Sequence, residues 1–488
     1  MLIDYVLLAI VAAAPGPRPA TSGVQAAAQT AAGVRLLFQE QAAAQPPPPA
    51  KAPTPKKKAK KKKVPKETEP SPDAPVDVDA PDPGRGLRFT WKQHPSLRYG
   101  SIFRVDFEAK FQVDARDSYD GAPDLPTWEL HRSRVGIQGH LFKRIEYEVE
   151  RELNEKELTD KDIVLGLTKA SLWKDVYVNL TYMKNAQIQL GRFKIPFGLD
   201  QTTGVSHGDF VYRSLGAIYL SPARDVGGQV HGRFFKRGLN YWAGVFKHDG
   251  DNARSKKIQG GDETFAGRVT ASPFRPLTSS PVGAMQFGAA YAISALSDDS
   301  FRPNGLRGRT VMTQDTFYEP VYVKGQRRRW EADVDWTVGP VSARAEYTMV
   351  NDDRLDQSIA NTDLTDARAQ SWYVSGTWVL TGEDKVRPLK AHAPLLQGGI
   401  GAVEIAARYE RLWFGSVGGA DPPFRNSRAE TILGAGDRVL TLGVNWTLNR
   451  FVRIQVNGIR EHVEDPERNP VPNGAAFWSR IIRFQFVL

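Results

Sequence analysis

Cysteine is absent from this chain of 488 residues, which excludes disulfide staples and thiolate metal sites. That absence suits a route through an oxidising envelope compartment. The eight histidines are scattered, with no HxxxH or HxH spacing, so a histidine-built metal centre is not expected. No run of about eighteen apolar residues occurs, so no membrane-spanning helix is expected. There is no GxSxG nucleophile elbow. Ser206, His207 and Asp209 are near neighbours, but adjacency alone does not give the geometry of a catalytic triad. These absences leave an enzyme reading weak and call for no cofactor.

What the chain does have is aromatics (11 Trp, 15 Tyr, 23 Phe) at low mean hydropathy. Membrane β-barrels have this profile, because only alternate residues face lipid; large soluble β proteins share it. The net charge of +10 is unevenly placed. Residues 51–66 carry nine lysines and residues 67–82 six acids, leaving +7 on residues 83–488. A mildly basic bulk favours anionic partners without naming one, and nothing points to nucleic acid.

Leu2 to Ala14 has the shape of the apolar core of an export signal, and Ala42-Ala43-Ala44 offers a cleavage point, so residues 1–45 read as an export region. Residues 46–90 are rich in Pro, Lys and acid, a composition that buries little apolar surface and reads as a periplasmic linker. The lysine block could tether the chain to anionic envelope material. A solvated linker is the plainer account.

From Tyr99 the pattern becomes periodic. Phe103, Val105, Phe107, Ala109, Phe111 and Val113 alternate with Arg104, Asp106, Glu108, Lys110 and Gln112, a period of two. Sixteen such strands are expected, near 99–113, 128–141, 144–152, 172–183, 186–194, 226–235, 238–248, 263–272, 284–294, 328–338, 340–350, 370–381, 401–413, 437–448, 450–462 and 476–488. Short connections such as Phe142-Lys143, Lys184-Asn185 and Gly339-Pro340 alternate with long ones such as 195–225 and 295–327. Two turns, 273–283 and 382–400, are longer than their position in that order requires. The expectation is an all-β fold: a 16-stranded antiparallel transmembrane β-barrel with short periplasmic turns and long external loops, residues 95–488. Its lumen should hold water rather than a side-chain core. Trp128, Trp173, Trp242, Trp330, Trp372, Trp413 and Trp478 stand near strand ends, as interfacial girdles do.

The stretch GRFKIPFGLDQTTGVSHGDFVYRSLGAIYLSPARDVGG (191–228) has no alternation of its own, and a structureless insert that long is usually functional. Its GRFKIPFGLD opening, Tyr212-Arg213-Ser214 centre and PARDVGGQVHG exit resemble the phosphate-selective porin O and P family. LHRSRVGIQGHLFKRIEYEVERELN (130–154), SWYVSGTWVLTGE (371–383), GAVEIAARYERL (401–412) and LTLGVNWTLNRFVRIQVNGI (440–459) carry the resemblance further. It implies an infolded third loop, a homotrimer, insertion into outer-membrane lipid by the barrel-assembly machinery, and passage of phosphate or other small anions past arginines. Arg132 matches one of a pair of adjacent arginines whose other member is His131 here, and Asp175 matches a constriction acid. FRPNGLRGR supports Arg302 and Arg307, with Asn304 where an arginine is expected.

Alternation independently puts Arg132, Arg134, Arg233, Arg268, Arg344, Arg408, Arg453 and Arg483 on the lumenal side, together with Asp106, Glu108, Glu146, Glu148, Asp333, Asp335 and Glu346. Guanidinium groups stay charged and fork onto phosphate oxygens, but arginine rows facing acids also brace a barrel wall. Arg213 and Arg224 either face the constriction or anchor the loop. The candidate anion path is therefore Arg132, Arg134, Asp175, Arg213, Arg224, Arg302 and Arg307. A general or organic-solute porin, or an envelope tether through the basic arm, are the other functions open at this point.

Overall fold

The computed structural model describes residues 86–91, 94–118, 127–155, 171–252, 263–277, 280–297, 303–418, 422–465 and 476–488. The export region, the lysine block and Arg302 lie outside them. A hairpin of two short strands, β1 (Leu87–Trp91) and β2 (Pro95–Tyr99), comes first. Residues 87–90 are thus strand rather than the end of the linker. Nine longer strands follow: β3 (Phe103–Asp117), β4 (Trp128–Leu141), β5 (Ile145–Glu152), β6 (Trp173–Met183), β7 (Ala186–Lys194), β8 (Arg224–Phe234), β9 (Leu239–Phe246), β10 (Thr264–Ala271) and β11 (Gln286–Leu296). A small ladder of β12 (Gly308–Arg309) and β13 (Thr316–Tyr318) interrupts the series. Seven long strands complete it: β14 (Gly325–Val338), β15 (Val341–Arg354), β16 (Leu364–Val379), β17 (Ala402–Ser416), β18 (Ala435–Thr447), β19 (Val452–Glu464) and β20 (Ala476–Val487).

Strands β3–β11 and β14–β20 each pair antiparallel with the next, and β20 pairs with β3, so sixteen strands close into a barrel. Closure leaves no edge in the ring, as a bilayer requires. The predicted alternation holds. In β16, Ser371, Tyr373, Ser375 and Thr377 turn inward and are buried, whereas Val374 and Trp378 turn outward and are exposed. At the β4–β5 turn, Phe142 and Lys143 both have positive φ (49° and 66°), the hand that matches the twist of a tight hairpin.

Two sequence expectations are corrected. Trp242 does not belong to a girdle. It lies opposite His231 and Arg268, whose side chains face the lumen, so its indole is on the inner face. Nor is the lumen simply water-filled. At the long-loop end, Leu306, Val311, Met312, Phe317, Tyr318 and Val321 from residues 303–324 pack on Val211, Leu215 and Leu220 from residues 195–223. The inner faces of Leu412, Phe414, Ile459 and Ile481 complete this dry core. The strands here are apolar on both faces, because one face meets folded loop instead of water. Tyr318 stacks on Phe414 with ring centroids 4.1 Å apart and 4° between planes.

Phe317 is wholly buried in this core. Phe317→Ala is expected to weaken the seating of residues 303–324 by about 3–5 kcal/mol, the usual range for losing a buried aromatic ring. The outer half of the lumen should widen, so single-channel conductance in planar bilayers should rise. Unchanged conductance would show that this core does not limit the path.

Candidate constriction of the lumen

Strand β7 ends where Pro196 removes a ladder donor, and the chain then turns into the barrel. Phe193, Ile195 and Phe197 are buried against Phe246 and Ala292 and fix the point of entry. Gly198 follows with φ +78°, and a Cβ there would stand 2.9 Å from a Glu346 carboxylate oxygen. That close approach lets Glu346 accept from Leu199 N (3.1 Å) and Asp200 N (2.9 Å) at the start of α1 (Leu199–Thr202). A second short helix, α2 (Leu215–Tyr219), begins at Ser214, whose hydroxyl accepts from Ala217 N at 3.3 Å.

Between and around these helices the barrel wall satisfies the loop backbone. Leu215 N donates to Glu410 (2.6 Å) and Val211 N to Asn457 (2.8 Å). Arg483 donates to Val211 O (2.9 Å), Arg408 to Tyr212 O (3.1 Å), Asn445 to Asp209 O (2.9 Å) and Arg329 to Leu220 O (2.8 Å). Six wall strands, from β14 to β20, therefore hold one loop. From the short-turn end, residues 380–401 reach up to meet it. Asp209 accepts from Lys385 Nζ at 2.6 Å and from Arg387 at 3.1 Å, and Lys385 also binds Glu404. This accounts for the excess length of that turn, which sequence reasoning noted without assigning its charges a place.

The loop leaves a cavity of about 170 Å3 lined by Arg132, Arg213, Arg344, Arg408 and Arg483, by His131, and by Asp200 and Asp209. Five arginines against two aspartates give the lining an excess of positive charge. Four of the five are committed. Arg344 binds Asp335 (2.9 Å), Arg408 binds Glu410 (2.9 Å), Arg483 binds Asp114 through two nitrogens (2.6 and 2.7 Å), and Arg213 donates to the loop carbonyls of Asp200 and Thr203. Arg132 differs. Its guanidinium is held by the neutral Gln112 (2.5 Å), and the oxygen of Glu152 is 3.9 Å away.

The β4 ladder explains how His131 and Arg132 both reach the lumen. Gln112 pairs with Arg132 but Val113 pairs with Leu130, so a bulge at His131 turns two consecutive residues inward. Of the other predicted residues, Arg134 is buried between Glu150 (2.9 Å) and Glu152 (2.8 Å). Arg224 and Asp175 bind each other, with contacts of 2.5 and 3.1 Å, tying the start of β8 to the wall. Arg213 and Arg224 are the two the sequence left open: Arg224 anchors, and Arg213 borders the cavity while bracing the loop internally. Arg307 is not among the residues lining this cavity. It stands with Arg309 near Tyr219, whose hydroxyl is pushed up to about 12 by burial. Sequence reasoning assigned Arg344, Arg408 and Arg483 to the wall without the cavity that joins them.

Burial lowers the Arg213 guanidinium from its ordinary value, with Asp200 opposing and Arg224 and Arg134 adding to the effect. For Asp209, burial alone would raise the carboxyl, but Lys385 and Arg387 outweigh it and hold it far below the usual carboxylate range. Among the described residues no cluster of three or more potential metal ligands occurs.

A closed barrel of this size, polar within and narrowed by an infolded loop, is an outer-membrane channel of the porin class. The sequence model of the family described as "Phosphate-selective porin O and P" matches residues 103–488, and the chain belongs to that family. No curated protein matches the sequence. Among solved structures the chain is similar to outer-membrane OmpT of Vibrio cholerae (12% identity, 79% of this chain and 98% of that one, TM-score 0.49). It is also similar to an anion-selective porin from Comamonas acidovorans (11%, 79% and 99%, TM-score 0.47) and to Pseudomonas putida OprB (10%, 79% and 94%, TM-score 0.47).

Asp209→Asn is expected to loosen the loop from residues 380–401 and to make single-channel current noisier. Because the carboxyl of Asp209 is depressed, its contribution is present above the unfolded value and is lost only as pH falls through the lowered folded value. Wild-type current noise should therefore stay flat from pH 7 down to about pH 4, near the unperturbed carboxylate range. Noise that rises steeply between those values would show that another group holds the loop.

Proposed function

We propose that this porin conducts small anions of phosphate-like chemistry past an arginine-lined constriction. The observation that carries the reading is Arg132: a cationic side chain at the cavity whose hydrogen-bond partner is a neutral amide and whose remaining N–H groups can turn to a solute. Arg213, Arg344, Arg408 and Arg483 add positive field from the other sides. Forked guanidinium donors match phosphate oxygens in geometry as well as sign. The chain works as a homotrimer in outer-membrane lipid, as family membership suggests, with Arg302 and Arg307 as further candidates for the anion path.

A second reading, a general porin without phosphate preference, is favoured by the carboxylates paired to Arg344, Arg408 and Arg483. Such pairs set a transverse field and orient any polar solute.

Reversal potential in a salt gradient, followed by phosphate titration of the chloride current, separates the two. Anion selectivity with phosphate block supports the first reading; anion selectivity indifferent to phosphate supports the second. Arg132→Gln should weaken phosphate block roughly ten- to hundredfold, the scale of losing a hydrogen bond to a charged group. Arg453→Gln, whose guanidinium is turned to the Gly208 carbonyl, should change block less. Equal effects would remove Arg132 from the path.

A further inference from the structure

The β1–β2 hairpin lies outside the ring of sixteen strands, yet it continues the barrel wall. Strand β20 stops where Leu488 bonds to Ala109, so it pairs only with residues 110–117 of β3. Strand β2 pairs with the remainder of that edge, from Tyr99 opposite Phe103 to Ser96 opposite Asp106, and β1 pairs with β2. The two faces stay sorted across these added strands. Leu87, Tyr99, Phe103 and Leu141 form one outward row, and Phe89, Leu97, Val105 and Gly139 the next. The inward rows are Arg88, Arg98, Arg104, His140 and Thr90, Ser96, Asp106, Gln138, with Ser96 donating to Asp106 at 2.5 Å.

On the outward face Leu87, Phe89 and Trp91 are 68%, 62% and 57% exposed, a bare apolar stripe in continuity with the lipid-facing row of β3. Stripes of this kind on a soluble surface mark an interaction site. We infer that the hairpin is a membrane anchor, lying in the headgroup layer of the periplasmic leaflet with Leu87, Phe89, Trp91 and Tyr99 turned to phospholipid. The depth follows from backbone chemistry. Strand β1 pairs with β2 on one edge and with no other described strand on the second. A bare strand edge is intolerable in hydrocarbon, but hydrated headgroups satisfy it. Trp and Tyr are the side chains suited to that layer, having an apolar body and a polar tip.

The natural absence of cysteine makes the test direct. Single variants Arg88→Cys, Phe89→Cys, Thr90→Cys, Trp91→Cys and, as a lipid-facing reference, Phe107→Cys carry a nitroxide on the full chain in phospholipid vesicles. Folding of each is checked by the mobility shift between boiled and unboiled samples. Collision rates with oxygen and with a water-soluble nickel chelate should alternate: the oxygen-to-nickel ratio at 89 and 91 should exceed that at 88 and 90 several-fold and approach that at 107. Similar ratios at all four hairpin positions would place the hairpin in periplasmic water and overturn the inference. Low rates with both reagents at 89 and 91 would also overturn it, since the stripe would then be covered by protein, with spin–spin broadening identifying a second copy of the chain. Should a labelled variant fail to fold, quenching of wild-type fluorescence by brominated lipid gives the same decision. Quenching that falls in Trp91→Phe supports the anchor, and quenching that does not change refutes it.

Discussion

A loop can lie inside a barrel only if its backbone N–H and C=O groups find partners there, because buried polar groups left unpaired are costly. In this molecule the wall provides those partners. Carboxylates and an amide (Glu346, Glu410, Asn457) accept from the N–H groups of residues 199–215, and arginines and an amide (Arg408, Arg483, Asn445) donate to its carbonyls. The charge pattern of the inner wall is thus set by the loop as well as by any solute. An arginine that looks like part of a filter in the sequence can be spent on a carbonyl in the fold.

The same constraint shapes the rest of the lumen. Residues 303–324 cover part of the inner loop with apolar side chains, so the long-loop end of the lumen holds a packed apolar core. Residues 380–401 reach the loop from the other end through Lys385, Arg387 and Asp209. Two further connections therefore support the infolded loop, while the cavity itself is lined by that loop and by wall strands β4, β15, β16, β17 and β20. A loop held at both ends and along its backbone has little freedom to move.

The strands were legible because every second residue in each must tolerate a different medium, and a period of two survives in the sequence. All sixteen were found, within four residues at each end except for β16, which begins at Leu364, six residues earlier than expected. The short strands β1 and β2 were not, since five residues of LRFTW or PSLRY next to a proline-rich stretch carry too little periodicity. Trp242 misled because an indole near a strand end reads the same whether it faces lipid or lumen; only the register against His231 and Arg268 decides. The inner position of Arg132 was legible, but the presence of His131 beside it was not, because a bulge is a pairing event between strands and leaves no mark on one strand alone. The lumenal core escaped for a related reason: Leu412, Phe414, Ile459 and Ile481 fit an alternating strand, and what covers them lies far away in the chain.

On the proposed anion path, pairing decides which arginine a passing anion would feel most. An arginine bound to a carboxylate presents a dipole, whose field falls off faster with distance than that of a single charge. Arg344, Arg408 and Arg483 are of this kind. A cation about 4 Å from an anion is worth about 4 kcal/mol at an effective dielectric of 20, less for Arg132, whose Nε stands 3.9 Å from Glu152. Part of that is returned as the anion sheds water, so a single such arginine can slow a phosphate without trapping it. Were all five cavity arginines unpaired, the anion would bind too tightly to leave and conduction would fail. In the proposed reading the neighbouring carboxylates are therefore compatible with anion preference rather than opposed to it: they lower the depth of the well without reversing its sign.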